Sequence, residues 1–475
     1  MRVLKSRTFR MPSAYTILFS IILIMMILTW VIPAGQYEYI QNGDVSQPIA
    51  GTYHRVDANQ QSIFDVILAS FHGFYEAVEI SLFILMVGGF LGVVMQTGAI
   101  DAGIARVIHL LNGREKFMIP ILMILFGLGG TSFGMWEETM AFYPLLLPVF
   151  IAAGYDSITA VSVIMLGAGI GTLCSTVNPF ATGIASGFAG ISLGDGLLLR
   201  LLMLLVLEAV AITFVMRYAT KVRSNPKASI VADQFEENKR RFAINFDDQD
   251  NMKLTGTRKT ALIVFAGTFL LMIYSVIPFN DLGITFLPTL GWYFTELSGL
   301  FLIAGIIVGL ATRMKEQELI EGFVRGASDL LGVAFIIAIS RGITVIMNSG
   351  FITDTILNWG EMALSGVNSM MFILLTYLLY LPLSFLIPSS SGLATLSIPI
   401  MVPLGEFTNI SSSLIITAFQ SASGLVNLLT PTSAVVMGGL AVAHIPYDRW
   451  LKYVVKFVVI VLLITMAFLA IGALF

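Results

Sequence analysis

Uncharged apolar runs of membrane length recur along this chain, and some are interrupted by polar residues. The longest runs from Met362 to Gly405. It exceeds the ~20 residues of one helical crossing, and at its centre lie Pro388, Ser389, Ser390, Ser391 and Gly392. Proline removes a backbone donor and glycine admits unusual dihedrals. The run therefore predicts two helices meeting at a polar tip. Backbone freed at membrane depth has to be buried in protein or line a wet cavity. The expected element is a re-entrant hairpin over 367–405, although two full crossings joined by a Ser-rich turn would give the same hydropathy.

A second copy supports the hairpin. The segment Ser132–Glu138 (SFGMWEE) precedes Tyr143–Pro148 (YPLLLP), as the Ser-rich tip precedes Ile398–Pro403 (IPIMVP). From Pro144 and Pro399 onward the two halves stay in register. Gly169 matches Gly424, and Ser175–Ala181 (STVNPFA) falls on Thr430–Val436 (TPTSAVV). Each half thus predicts a hairpin, 117–153 and 367–405. Each then predicts a polar, proline-broken stretch in a long apolar helix, 157–190 and 412–442. Broken helices at corresponding places in two halves point to a transporter binding site.

The other segments complete a polytopic order. Ala14–Pro33 predicts a first crossing, because its apolar core is too long for a signal peptide and no A-x-A pattern ends it. The basic start, 1–10, places the N-terminus in the cytoplasm. Residues 34–75 read as an outside loop with an amphipathic helix near 63–74. Residues 80–100 cross back, and 197–216 make a return crossing. Arg217–Lys259 holds ten of the 26 Lys and Arg residues, including Lys239, Arg240 and Arg241. It reads as a cytoplasmic linker between a first repeat, 1–216, and a second, 260–475. Val31-Ile32-Pro33 is echoed by Val276-Ile277-Pro278, and Met95–Asp101 by Met347–Thr353. Gly291–Thr312 is one crossing more than the first half holds, which inverts everything after it. The expected fold is an all-α polytopic membrane protein built from two inverted-topology repeats, with hairpins entering from opposite faces.

Composition agrees. The chain is 57% hydrophobic and 12% charged, against about 25% charged in soluble domains, and its mean hydropathy is +0.88. A net charge of -3 selects no partner, and no nucleic-acid pattern is present. The single Cys174 excludes an intramolecular disulfide and reads as a small apolar filler. The P-loop, H-E-x-x-H and G-x-S-x-G patterns are missing, and four scattered histidines suggest no metal cluster. An enzyme and a resident cofactor are therefore not expected, and transport would run on a gradient or by exchange.

Candidate chemistry follows from the breaks. Helix N-termini favour carboxylates and C-terminal carbonyls favour cations. Thr131, Ser132, Ser175, Thr176, Asn178, Ser389, Ser390, Ser391, Thr430, Thr432 and Ser433 are expected to line a compact pocket for a small-molecule substrate. Single hydroxyls also serve plain helix packing. Charges within apolar spans mark functional hypotheses. Glu137 and Glu138 follow the first tip only, where they suit a substrate cation or a proton. Arg341, inside Leu330–Met347, suits a substrate carboxylate or one of these glutamates. Trp136 suits a substrate cation or tip packing. Glu208 and Glu296 are expected nearer the membrane surfaces or subunit contacts.

The chain resembles the YfcC family, within the C4-dicarboxylate anaerobic carriers of the ion transporter superfamily. The resemblance rests on Ser13–Phe19 (SAYTILF), Phe133–Leu146 (FGMWEETMAFYPLL) and Ile387–Met401 (IPSSSGLATLSIPIM). It rests also on Leu428–Leu440 (LLTPTSAVVMGGL) and His444–Tyr453 (HIPYDRWLKY). It implies scaffold helices and a transport domain moving as an elevator, a homodimer, and a bacterial cytoplasmic (inner) membrane location. Superfamily members carry Ser-Asn-Thr-like patterns at tips and breaks. Here Thr131-Ser132, Ser175–Asn178, Ser389–Ser391 and Thr430–Ser433 stand there without that triplet, so sodium or proton coupling stays open. Some YfcC-like proteins resemble arginine–ornithine exchangers, and the acidic pair favours such an amino acid carrier. A C4-dicarboxylate transporter coupled to sodium or protons is the alternative.

Overall fold

The computed structural model describes residues 13–42, 45–100, 102–103, 106, 114–192, 194–241, 255–276, 279–280 and 286–474. The basic start, Ile277-Pro278 and linker residues 242–254 lie outside the described residues.

Helix α1 (Ala14–Val31) starts where the Ser13 hydroxyl accepts the amide of Thr16, the expected N-cap geometry. Two small antiparallel ribbons follow. β1 (Gly35–Gln36) pairs with β4 (His54–Arg55), and β2 (Tyr39–Asn42) with β3 (Val45–Pro48). The chain is thus mostly rather than wholly helical. The missed signal was β-forming Tyr39, Ile40 and Val45 flanking an Asn-Gly pair, a hairpin signature. α2 (Ile63–Glu76) is the expected amphipathic helix, started by a Ser62–Asp65 capping box.

The first half continues with α3 (Val78–Gln96), α4 (Met118–Phe133), a 3-10 turn (Glu137–Phe142), α5 (Tyr143–Ala152) and α6 (Ser157–Cys174). After a break come α7 (Ile184–Ala189), α8 (Leu197–Ser224) and the short α9 (Phe235–Arg241). The second half holds α10 (Gly256–Val276), α11 (Phe294–Ala311), α12 (Glu316–Ser349) and α13 (Thr353–Leu364). It ends with α14 (Ser369–Leu386), α15 (Ser390–Phe407), α16 (Ser412–Asn427), α17 (Ala434–Val442) and α18 (Tyr447–Gly472). Among the described residues, nine helices are long and apolar enough to cross a membrane. The element order matches between halves: paired helices joined at a tip, α4/α5 and α14/α15, then a broken helix, α6/α7 and α16/α17, then a long helix, α8 and α18.

Packing sorts the helices into two groups. In one, α1, α2 and α3 pack on α12, α11 packs on α3, and α10 lies against α11. Its tightest seam uses small residues: a Cβ on Gly88 or Gly92 of α3 would overlap the carbonyl of Gly326 or Gly322 of α12. Such i,i+4 glycine pairs let backbones approach where lipid supplies no hydrophobic drive. In the other group, α4, α8 and α16 pack on α6, α14 packs on α16, and α15 on α7. The groups meet mainly where α12 lies against α17, and where the Glu137–Phe142 turn touches α3. Each group draws helices from before and after the linker.

Candidate functional site

The first tip forms because α4 ends at Gly134, whose φ of 77° is left-handed. A side chain there would also strike the Asn178 amide, 2.6 Å from an ideal Cβ, so glycine alone satisfies both demands. Three residues earlier in the tip's approach, Thr131 ties the tip to the break after α6. Its hydroxyl accepts the Thr176 amide at 3.0 Å, and its carbonyl accepts the amides of Thr176 and Val177 at 3.0 and 3.3 Å. These contacts satisfy backbone donors that the broken helix frees.

The second tip uses a different device. The Ser389 hydroxyl accepts the amide of Gly392 at 3.2 Å, capping α15. The second break is held by α18: Trp450 donates to the carbonyl of Leu428 at 2.9 Å and the Tyr447 hydroxyl donates to that of Leu429 at 2.6 Å. Thr432 donates from its hydroxyl to the carbonyl of Phe385 at 3.0 Å, joining this break to the second hairpin.

Both tips, the first break and the end of α16 surround one cavity of about 730 Å³, open mouth included. Gly134, Trp136, Glu137, Glu138, Asn178 and Pro388–Ser391 line it, together with Thr172, Gln420, Ser423, Gly424 and Asn427. The α12 group contributes Arg341, Ile80, Tyr293 and Phe294. A side recess shares Trp136, Glu137 and Arg341 with it and adds Thr432 and Ser433.

The sequence-predicted residues divide accordingly. Glu137, Glu138, Asn178, Arg341, Ser389, Ser390 and Ser391 line the cavity, and Thr432 and Ser433 the recess. Thr131, Ser132, Ser175, Thr176 and Thr430 line neither. Their hydroxyls hold the framework: Ser132 bonds back to Leu128 at 2.5 Å, Ser175 pairs with Thr182 at 2.5 Å, and Thr430 with Thr432 at 2.8 Å.

Charge is split across the cavity. Glu138 is 6% exposed and accepts the amide of Trp136 at 3.1 Å, which fixes its carboxylate. Glu137 and Arg341 face the same space, yet among the described residues neither enters a salt bridge. The carboxylates belong to the hairpin group and the guanidinium to the α12 group. Two buried polar atoms nearby, Gln420 Oε1 and Ser433 Oγ, have no partner among the described residues. An unpartnered buried polar atom is costly, so both are open to a polar ligand. No cluster of three or more His, Cys, Asp or Glu suited to a metal occurs among the described residues.

Sequence reasoning missed the α16 contribution. Gln420, Ser423 and Asn427 recur at helical spacing in a buried helix and present one polar face to the cavity. That periodicity was the available signal. Glu208 also departs from expectation. It is 8% exposed, lies against Gly127 of α4, and neither carboxylate oxygen has a partner among the described residues. The small α4 residue opens room for it, which hydropathy does not reveal. Glu296 is exposed on the first turn of α11, where it accepts the Tyr293 amide at 3.0 Å.

The family model for DcuC, described as C4-dicarboxylate anaerobic carrier, matches residues 11–474. The chain belongs to the DcuC family. This DcuC-family chain is 34% identical to an uncharacterized protein of Haemophilus influenzae, over 97% of the chain and 96% of that relative. It is 29% identical to a putative basic amino acid antiporter, YfcC, of Escherichia coli, over 94% and 93% of the two. Among solved structures it is similar to Neisseria gonorrhoeae MtrF, at 15% identity and a TM-score of 0.43, covering 97% of this chain and 95% of that one. The family is one of membrane transporters.

Proposed function

We propose that the chain is a secondary active transporter of amino acids, exchanging arginine and ornithine by alternating access. The observation that carries this reading is the acidic pair Glu137 and Glu138 across a shared cavity from Arg341, with no salt bridge closing the gap. A basic amino acid offers one carboxylate and two cations. The glutamates suit its cations; Arg341 and the N-terminal end of α15 suit its carboxylate. The E. coli relative described as a putative basic amino acid antiporter adds support.

The matching element order of the two halves supports inverted repeats, and the two packing groups support elevator motion. In that motion Arg341, on the α12 group, would stay behind while the hairpin group carries substrate. Arg341 is thus read as a contact of one end state. A homodimer in the bacterial inner membrane, with a cytoplasmic N-terminus, and sodium or proton coupling complete the proposal.

The alternative is a C4-dicarboxylate carrier, favoured by the family description. A dianion calls for two cationic partners, and Arg341 is the one cation lining the cavity among the described residues. Proteoliposomes decide between them. Labelled arginine should enter against internal ornithine, and Glu137→Gln and Glu138→Gln should each cut that exchange tenfold or more. Unchanged arginine exchange in both variants would sink the proposal. Succinate uptake abolished by Arg341→Ala would establish the alternative.

A further inference from the structure

On the side of the molecule where α8 and α18 run together, a groove of about 1300 Å³, open mouth included, separates them. Its two ends differ in chemistry. Toward the middle of both helices the walls are apolar, with Val210, Phe214 and Ile460. Toward the other end they carry Arg217 and Lys221 from α8 and Lys452 and Lys456 from α18. Tyr218 and Tyr453 lie within the basic stretch, Tyr218 between Arg217 and Lys221 and Tyr453 between Lys452 and Lys456 along their helices, with their rings 4.8 Å apart. Among the described residues, no acidic residue lines the groove.

Among the described residues, the basic end has one acidic neighbour for its four cations. Among the described residues, Arg217, Lys221 and Lys456 have no salt bridge, and Lys452 has a 3.7 Å contact to Asp448 one turn away. Each helix presents its two cations at i,i+4 spacing, where like charges repel. From Ala209 to Lys221 the α8 wall runs about 18 Å at 1.5 Å per residue. A phospholipid with an anionic headgroup matches this polarity: phosphate and glycerol among the four cations and the two tyrosines, acyl chains along the apolar slot. Basic pockets between transmembrane helices hold such headgroups, and aromatic side chains settle at the interfacial level.

We propose that the α8–α18 groove is a binding site for an anionic phospholipid. It lies on the hairpin group, because α8 packs on α6 and α18 packs on α16. A lipid held there would therefore travel with the broken helices and not with the α12 group.

The test uses the full-length protein purified in a neutral detergent, with thermal unfolding and native mass spectrometry as readouts. Phosphatidylglycerol should raise the unfolding temperature by several degrees and persist as a bound adduct. Phosphatidylcholine and inorganic phosphate should do neither. Arg217→Gln with Lys221→Gln, Lys452→Gln and Lys456→Gln should remove both effects, and the two pairwise variants should each weaken lipid affinity about 25-fold, from about fivefold per charge. A variant that exchanges Lys for Arg and Arg for Lys at the four positions should retain the adduct. If the fourfold variant fails to fold, the pairwise variants give the same reading. An equal shift with phosphatidylcholine or with phosphate, or an undiminished adduct in the Gln variants, would overturn the proposal. So would a change in oligomeric state on neutralising the four charges, which would place a second copy of the chain in the groove.

Discussion

The side-chain amide of Gln420 donates to the main-chain oxygen of Thr172 at 2.6 Å, joining α16 to α6 across 248 positions of sequence. Both residues line the cavity. The bond ties the broken helix of one half to that of the other inside a buried seam, where a lost partner leaves an expensive orphan. Gln420→Leu removes the donor and is expected to cost about 1–3 kcal/mol. The apparent unfolding temperature in detergent should fall by several degrees. Gln420→Glu should fall further, since a carboxylate faces the same carbonyl. An unchanged melting temperature in both variants would show that the bond holds nothing together.

A second expectation concerns the motif His444–Tyr453. Its chemistry is a pair of donors, Tyr447 and Trp450, that satisfy the carbonyls of Leu429 and Leu428 at the second break. Tyr447→Phe and Trp450→Phe keep an aromatic ring and delete the donors. Each should destabilise by about 1–3 kcal/mol through an orphaned carbonyl. Trp450 is fully buried, so its replacement by Phe also leaves a void and should be the more damaging of the two. Melting curves of the two single variants measure the order, and a more harmful Tyr447→Phe would contradict it.

The sequence carried more of the framework than of the site. The paired helices joined at a tip and the breaks after them were legible because Pro388 and the register from Pro144 and Pro399 are backbone signals, and backbone signals are local. Which hydroxyl faces the cavity is not local. Thr131 and Ser389 look alike in sequence, yet Thr131 is consumed by Thr176 while Ser389 lines the cavity. Gln420 and Asn427 escaped because they sit within α16, ahead of the break, and only its packing against α6 gives their face a direction. Glu208 escaped because the room it occupies is made by a glycine on another helix.

Asp354 provides a pH expectation on α13, outside the crossing-length helices. Its carboxylate accepts the Tyr37 amide at 3.1 Å and the Tyr39 hydroxyl at 2.9 Å, joining the segment around β1 and β2 to α13. Burial raises its pKa above the usual aspartate value, and these two bonds offset that only in part. A group with a raised folded pKa binds protons more tightly when folded. Its contribution is full below the unfolded value of about 3.9 and is lost as pH rises through the folded value. The wild type should therefore lose stability relative to Asp354→Asn as the pH rises above about 4. Melting temperatures of the pair across that range measure it, and a gap that moves the other way would refute the assignment.

The last expectation tests whether the two packing groups move against each other. Their main contact is α12 against α17, where an ideal Cβ on Gly438 would lie 2.7 Å from Val333 Cγ1. A disulfide needs Cβ atoms about 3.5–4.5 Å apart, and Val333 Cβ lies one bond beyond Cγ1, so Val333→Cys with Gly438→Cys is the pair to cross-link. The native Cys174 is buried and free and is replaced by Ala in the same background. If substrate crosses by sliding of the hairpin group along α12, oxidation should stop exchange and reduction should restore it. Binding measured by thermal shift should survive, because the cavity itself is not crossed by the bond. Full exchange in the oxidised, demonstrably cross-linked protein would mean that α12 and α17 stay together throughout the cycle. The rigid-body elevator would then give way to movement of the hairpin tips alone.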